Sequence, residues 1–117
     1  TLPFLVGAAH FRRGTLVLEQ WLLRDADDEA ACLHDLAARL GELDWLVTFN
    51  GRTFDLPLLQ ARWRLNRQED PAAGLRGHLD LLHVGRRLLK HGLPDCRLGT
   101  LERHLLGLVR LLLRYIL

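Results

Sequence analysis

Trp45-Leu46-Val47-Thr48-Phe49-Asn50-Gly51-Arg52-Thr53-Phe54-Asp55-Leu56-Pro57-Leu58-Leu59 is the stretch whose reading decides the rest of the chain. Its first five residues form a short apolar run rich in β-formers, which predicts a buried strand. Asn50-Gly51 breaks the extended chain, since both residues tolerate positive φ. Asp55 follows, and Leu56-Pro57-Leu58-Leu59 starts a helix. In open α/β sheets ligands bind at the carboxyl ends of strands. A carboxylate in the turn after a buried strand is therefore placed to hold a divalent metal. An Asp next to a Pro-containing first helical turn is also an ordinary N-cap. Spacing alone leaves both roles open for Asp55.

Outward from this stretch, strand and helix patterns alternate. Pro3 to Arg12 is largely apolar, and Thr15 to Leu23 has more β-branched and aromatic character. The turn Arg12-Arg13-Gly14 between them predicts a β-hairpin. Asp25-Ala26-Asp27-Asp28-Glu29 supplies a cap and a solvated acidic first turn. Leu33, Leu36, Ala37 and Leu40 repeat at helical spacing, and Gly41 closes that helix. Leu56 to Arg67 mixes an apolar stripe with basic positions, and Trp63 reads as core. Asn66 to Gly77 is a loop and the most flexible segment expected. His78-Leu79-Asp80-Leu81-Leu82 is a short strand passing into a helix that runs to about Lys90, with Asp80 in a capping or hydrogen-bonding role. Thr100 is expected to cap the next helix. The apolar tail 108–117 contains Arg110 and Arg114, is too short to span a membrane, and suits packing on a core or a partner. These patterns predict an α/β fold.

Composition narrows the class. Of the 117 residues, 49% are hydrophobic and 26% charged, as in ordinary globular domains, with no signal-peptide pattern at the start. Cys32 and Cys96 lie far apart without metal-ligand spacing, and are expected to be reduced, buried thiols of a cytoplasmic protein. None of the six histidines has a recognised zinc spacing. The charge is uneven: residues 1–50 hold four Arg/Lys against eight Asp/Glu, and residues 51–117 hold twelve against six. A basic half beside a candidate carboxylate site suits a phosphate backbone. Fifteen of the sixteen basic residues are Arg, which genome base composition alone produces equally well.

Asn50-Gly51-Arg52-Thr53-Phe54-Asp55-Leu56-Pro57 resembles the second motif of the DEDD exonucleases, Asn-x-x-x-Phe-Asp followed by Pro and Leu. With His78-Leu79-Asp80-Leu81-Leu82-His83, Arg86-Arg87-Leu88 and Pro94 to Glu102, the chain resembles the YprB-type ribonuclease H-like domain over residues 1–107, leaving 108–117 as a departing tail. The resemblance implies a mixed sheet with flanking helices that lacks its first central strand. It also implies metal-dependent 3′–5′ exonuclease chemistry on single-stranded DNA or RNA, with Mg²⁺ or Mn²⁺ held by four carboxylates. Asp55 alone carries over as catalytic and metal-binding residue. Asn50, Arg52 and Phe54 carry over as nucleic-acid contacts, and Asp80 as a structural or secondary residue. The family's first two acids lie on a strand just ahead of a segment like Thr1-Leu2-Pro3, and its last acid follows the point where this sequence stops. The chain is thus expected to be a catalytically incomplete fragment. The alternative is a non-catalytic nucleic-acid-binding or protein-interaction module, and a third reading is a truncated or frameshifted product. Asp55 should face solvent or a cleft, with Phe54 turned into apolar neighbours.

Overall fold

A computed structural model describes residues 5–107. The expected tail at 108–117 lies outside the described residues. The chain opens with strands β1 (Leu5–Arg12) and β2 (Thr15–Leu22), paired antiparallel from Leu5–Leu22 to Arg12–Thr15. Arg13 and Gly14 both have positive φ, at 51° and 77°, the backbone that a two-residue hairpin turn needs to match strand twist. A single turn at Ala26–Asp28 follows, with the Asp25 carboxylate accepting from the Asp27 N–H. Helix α1 (Glu29–Gly41) leads to β3 (Trp45–Thr48), then α2 (Asp55–Leu65). After a short 3₁₀ turn at Pro71–Gly74 come β4 (Gly77–Asp80), α3 (Leu81–Leu89) and the one-turn α4 (Leu98–Leu101). The α/β class read from the sequence is the class observed.

Among the described residues the strands form two two-stranded sheets. β1 and β2 make the antiparallel one, and β3 pairs parallel with β4 from Trp45–Gly77 to Thr48–Asp80. The core lies between the hairpin and the first two helices. Leu33, Leu36 and Leu40 on one face of α1 meet Trp63 of α2, and Val6, Trp21, Leu46 and Leu59 pack around them. Trp63 is fully buried, and its indole N–H donates to the Leu33 carbonyl at 2.9 Å, so the one polar atom of the ring has a partner.

Several local expectations fail for identifiable reasons. The strand at Trp45 is not buried: Trp45 is 61% and Val47 57% exposed, while Leu46 and Thr48 are half-buried. Burial on both faces requires cover on both, and here helices cover one face only. The Trp45 ring lies over Gly77, where an added Cβ would come within 2.2 Å of it. Glu29 is not part of a solvated helix start. It is 4% exposed and accepts from the Arg62 guanidinium at 2.6 and 2.7 Å and from the Asn66 amide at 2.9 Å. The Arg62 hydrogen bonds outweigh burial and, with Asn66, hold the Glu29 carboxyl below the usual range. The segment after α2 is tied down, since Gln68 donates to the Ala30 carbonyl and Asp70 takes both Gln60 and the Ala72 N–H. Gly41 ends α1 without a left-handed residue, because Glu42 continues with φ −83°. Thr100 sits inside α4, where its hydroxyl donates to Asp95, and Arg97 holds the cap position. Cys32 and Cys96 are free, as expected, but half-buried.

Trp63→Ala removes the ring that joins α1 to α2 together with its indole hydrogen bond to the Leu33 carbonyl. Urea unfolding followed by circular dichroism should show a loss of about 3–5 kcal/mol, the range for emptying a large aromatic site. Trp63→Phe, which keeps most of the volume, should lose clearly less.

Candidate active site

The site is built where β3 and β4 end side by side. Parallel pairing brings Thr48 level with Asp80, and two residues earlier Leu46 level with His78. Beyond Thr48 the chain must turn sharply to start α2 behind the sheet. Asn50 does this with φ 63°, in the left-handed region that Asn tolerates better than most residues. Gly51 is buried against Thr48, and a Cβ there would fall 2.6 Å from the Thr48 side chain. The turn therefore requires a residue without one.

Asp80 holds this turn. Its Oδ1 accepts from the Asn50 N–H at 2.7 Å and from the Leu82 N–H at 3.1 Å, and its Oδ2 accepts from the Arg52 N–H at 3.1 Å. The Leu82 bond makes Asp80 the N-cap of α3, in the structural role read from the sequence. The residue is 3% exposed. Burial pushes its pKa up, but the three backbone donors, with His83 at 3.7 Å, overturn that and hold the carboxyl below the ordinary Asp range. Two further bonds lock the same corner. Thr48 Oγ1 and His78 Nε2 lie 2.7 Å apart, and the Arg52 guanidinium donates to the His78 carbonyl at 2.7 Å. Burial, then the Arg52 charge, lowers the His78 pKa.

Asp55 is the opposite case. It is the first residue of α2, it is exposed, and the cap position ahead of it is Phe54, which makes no side-chain cap bond. The Asp55 carboxylate makes no hydrogen bond or ion pair among the described residues, so it is not the N-cap that spacing allowed. It borders a groove of about 630 Å³ between β1 and β3. Partial burial, then the negative charge of Asp80, raises its pKa above the usual carboxylate value. A carboxylate destabilised in its charged form and open on one side is a ready position for a cation or proton.

Phe54 corrects the expectation made for it. The ring is 63% exposed rather than turned into apolar neighbours, because the core beneath α2 is filled by Leu56, Leu59 and Trp63. Of the basic residues, Arg62 is held by Glu29, whereas Arg86 and Arg87 on α3 are exposed. The Thr48–His78 bond is a feature that sequence reading missed. Only the register of β3 against β4 reveals it, and that register is not written in either strand alone.

A donor count tests the fit to a divalent cation. Asp55 offers a free carboxylate. Asp80 does not, since both its oxygens already accept backbone N–H groups. Among the described residues no group of three or more His, Cys, Asp or Glu is placed to hold a metal ion.

The turn and its carboxylates lie at the paired ends of two parallel strands of an α/β chain, and it is the family comparison that identifies the class. A model of the RNase H superfamily matches residues 1–112, and the chain belongs to that superfamily. It is also similar to the uncharacterized protein YprB of Bacillus subtilis strain 168, at 37% identity over 108 residues. That match covers 92% of this chain and 26% of YprB, so the chain spans about a quarter of that relative's length. No solved structure matches it significantly. Among the described residues no helix is long and apolar enough to cross a membrane.

The lowered pKa of Asp80 makes stability acid-sensitive, with a definite sign. Its contribution is complete above the unfolded-state Asp value of about 4 and is lost as pH falls toward the lower folded value. Asp80→Asn keeps one acceptor oxygen but no charge, and should lose about 2 kcal/mol at pH 7. Urea midpoints measured from pH 7 to pH 3 should fall less steeply in the variant than in the parent.

Proposed function

We propose that this chain is a fragment of a metal-dependent 3′–5′ exonuclease-like domain acting on nucleic acid, catalytically incomplete by itself, with Asp55 as its metal ligand. The supporting observation is the Asp55 carboxylate, unpartnered and raised in pKa at the carboxyl end of β3. Mg²⁺ or Mn²⁺ is the cation proposed, and a bound pair of such ions would stabilise the attacking and departing oxygens of a phosphodiester. Asp55 supplies one carboxylate toward that end, and Asp80 is a positioning residue that fixes the loop carrying it. The exposed Phe54 ring offers a stacking face to a base of single-stranded DNA or RNA. Asn50 and Arg52 lie in the same loop. Exposed Arg86 and Arg87 on α3 provide positive charge for the phosphate backbone. The free thiols suit a reducing, cytoplasmic setting.

One carboxylate binds Mg²⁺ or Mn²⁺ weakly, since Mg²⁺ in particular gives up its water reluctantly. Titration with Mn²⁺ should broaden the amide NMR signals of the Asn50–Leu56 loop first, and Asp55→Asn should abolish that selectivity. Broadening elsewhere, or an unchanged pattern in the variant, would refute the ligand role. Incubated with labelled single-stranded DNA and RNA in Mn²⁺, the purified 117-residue chain should cleave neither. Cleavage that requires both metal and Asp55 would show that other groups complete the centre. Any nucleic-acid binding should weaken as salt rises, and weaken further in Arg86→Ala/Arg87→Ala.

A further inference from the structure

The β1–β2 hairpin turns its apolar face outward. On its inner face Val6 and Trp21 pack against the α1 leucines. Beside them Glu19 accepts from the Arg39 guanidinium of α1 at 2.7 and 2.8 Å and lies 3.0 Å from His10. Side chains alternate along a strand, so this anchoring leaves the opposite set facing away from the core. In that set Phe11 and Leu18 are each 75% exposed, Leu16 55% and Leu22 57%. No position on this face, from the Leu5–Leu22 pair to the Phe11–Leu16 pair, carries a charge. An antiparallel sheet normally turns polar side chains to water, and a contiguous apolar patch of this kind marks an interaction surface.

We propose that this face pairs with the same face of a second copy of the chain, about a two-fold axis lying between the two sheets and parallel to their strands. Such an axis lays β1 of each copy over β2 of the other. The relief of the face suits that arrangement. Gly7 and Ala9 leave a furrow along the middle of β1, beside the ridge that Leu18 makes on β2. Nothing within the chain calls for glycine at position 7: its φ is not positive, and an added Cβ would come no closer than 4.0 Å to other atoms. Ala9 and Leu18 are register partners, as are Gly7 and Gln20. Under the two-fold, each Leu18 therefore enters the other copy's furrow over Ala9, and each Gln20 lies over Gly7. The larger pairs, Leu5–Leu22 and Phe11–Leu16, close the two ends. Taking about 200 Å² for a fully open large apolar side chain, the four exposed residues offer ~500 Å² per copy, so that two copies reach the ~1,000 Å² that a specific interface needs. With no charge on the face, an oppositely charged partner has nothing by which to be selected, whereas an isologous contact needs only self-complementary shape. This inference stands whether or not the chain takes part in nucleic-acid cleavage.

The test is sedimentation of the full 117-residue chain from about 1 to about 200 µM, the range suited to an interface at the small end of the specific class. The mass should rise from the 13.4 kDa of one copy to twice that value. Ala9→Lys and Leu18→Glu each place a charge at the centre of the contact, and each should weaken association at least about 50-fold. Both positions face solvent in the single copy, so far-UV circular dichroism should be unchanged. Mixing the two variants in equal amounts should restore the dimer, because the axis sets Lys at position 9 of one copy against Glu at position 18 of the other. A parent chain that stays monomeric throughout would overturn the proposal, whether the face is then met by residues 108–117 or by a lipid surface, which co-sedimentation with anionic vesicles distinguishes. Association that survives both substitutions would place the contact elsewhere and refute this face. Loss in both variants without recovery in the mixture would refute the two-fold pairing of Ala9 with Leu18.

Discussion

The buried carboxylate of Asp80 is the constraint on which the site depends. It gathers N–H groups from Asn50, Arg52 and Leu82, and so ties the exit of β3, the entry to α2 and the start of α3 to one point. Those N–H groups lie where the chain reverses direction and have no ladder to join. Left unpaired in a buried corner, each would cost about 1–3 kcal/mol. Because Asp80 meets this need, Asp55 is left without a protein partner. The two aspartates thus divide one corner: one is held ionised by donors, while burial and its neighbour's charge raise the other. That separation of environments is how a fold distinguishes a structural acid from a chemically available one.

A second buried acid organises the far end of α2. Glu29 receives Arg62 and Asn66, and one turn further along α1 the Leu33 carbonyl receives the Trp63 indole. A buried ion pair is weak evidence for net stability, but it fixes register, because removing either partner leaves an uncompensated charge. Here it sets how α2 lies across α1, and hence where the first turn of α2 carries Asp55. It also changes how the basic half of the chain is read. Arg62 is committed to the interior, and Arg52 donates to a backbone carbonyl. The positive charge open to a polyanion includes exposed Arg64 and Arg67 at the end of α2 as well as Arg86 and Arg87 on α3.

The sheet is divided where the core is most leucine-rich. Hairpin and parallel pair share a floor of α1 and α2 side chains, yet no described strand joins them. The exposure of Trp45 and Val47 belongs to the same picture, since β3 has helices on one face and a single paired edge. Membership of the RNase H superfamily, shown over nearly the whole length, is thus compatible with a sheet in two parts.

The sequence by itself determined the local features. The hairpin at Arg13-Gly14, the α1 stripe of Leu33, Leu36 and Leu40, the burial of Trp63 and the break at Asn50-Gly51 all follow from periodicity and backbone preference, which act over a few residues. The capping role of Asp80 was legible for the same reason, because its bond to the Leu82 N–H spans two residues. What the tertiary structure alone decided are pairings across about thirty positions: Asp80 to Asn50 and Arg52, Thr48 to His78, and Glu29 to Arg62. An acidic residue at a helix start looks the same in sequence whether it meets water or a distant arginine. Likewise, whether the carboxylate beside Phe54 caps its helix or stands free depends on how neighbouring elements dock. Burial and charge pairing are properties of the assembled core, and they settled Glu29, Phe54 and Asp55.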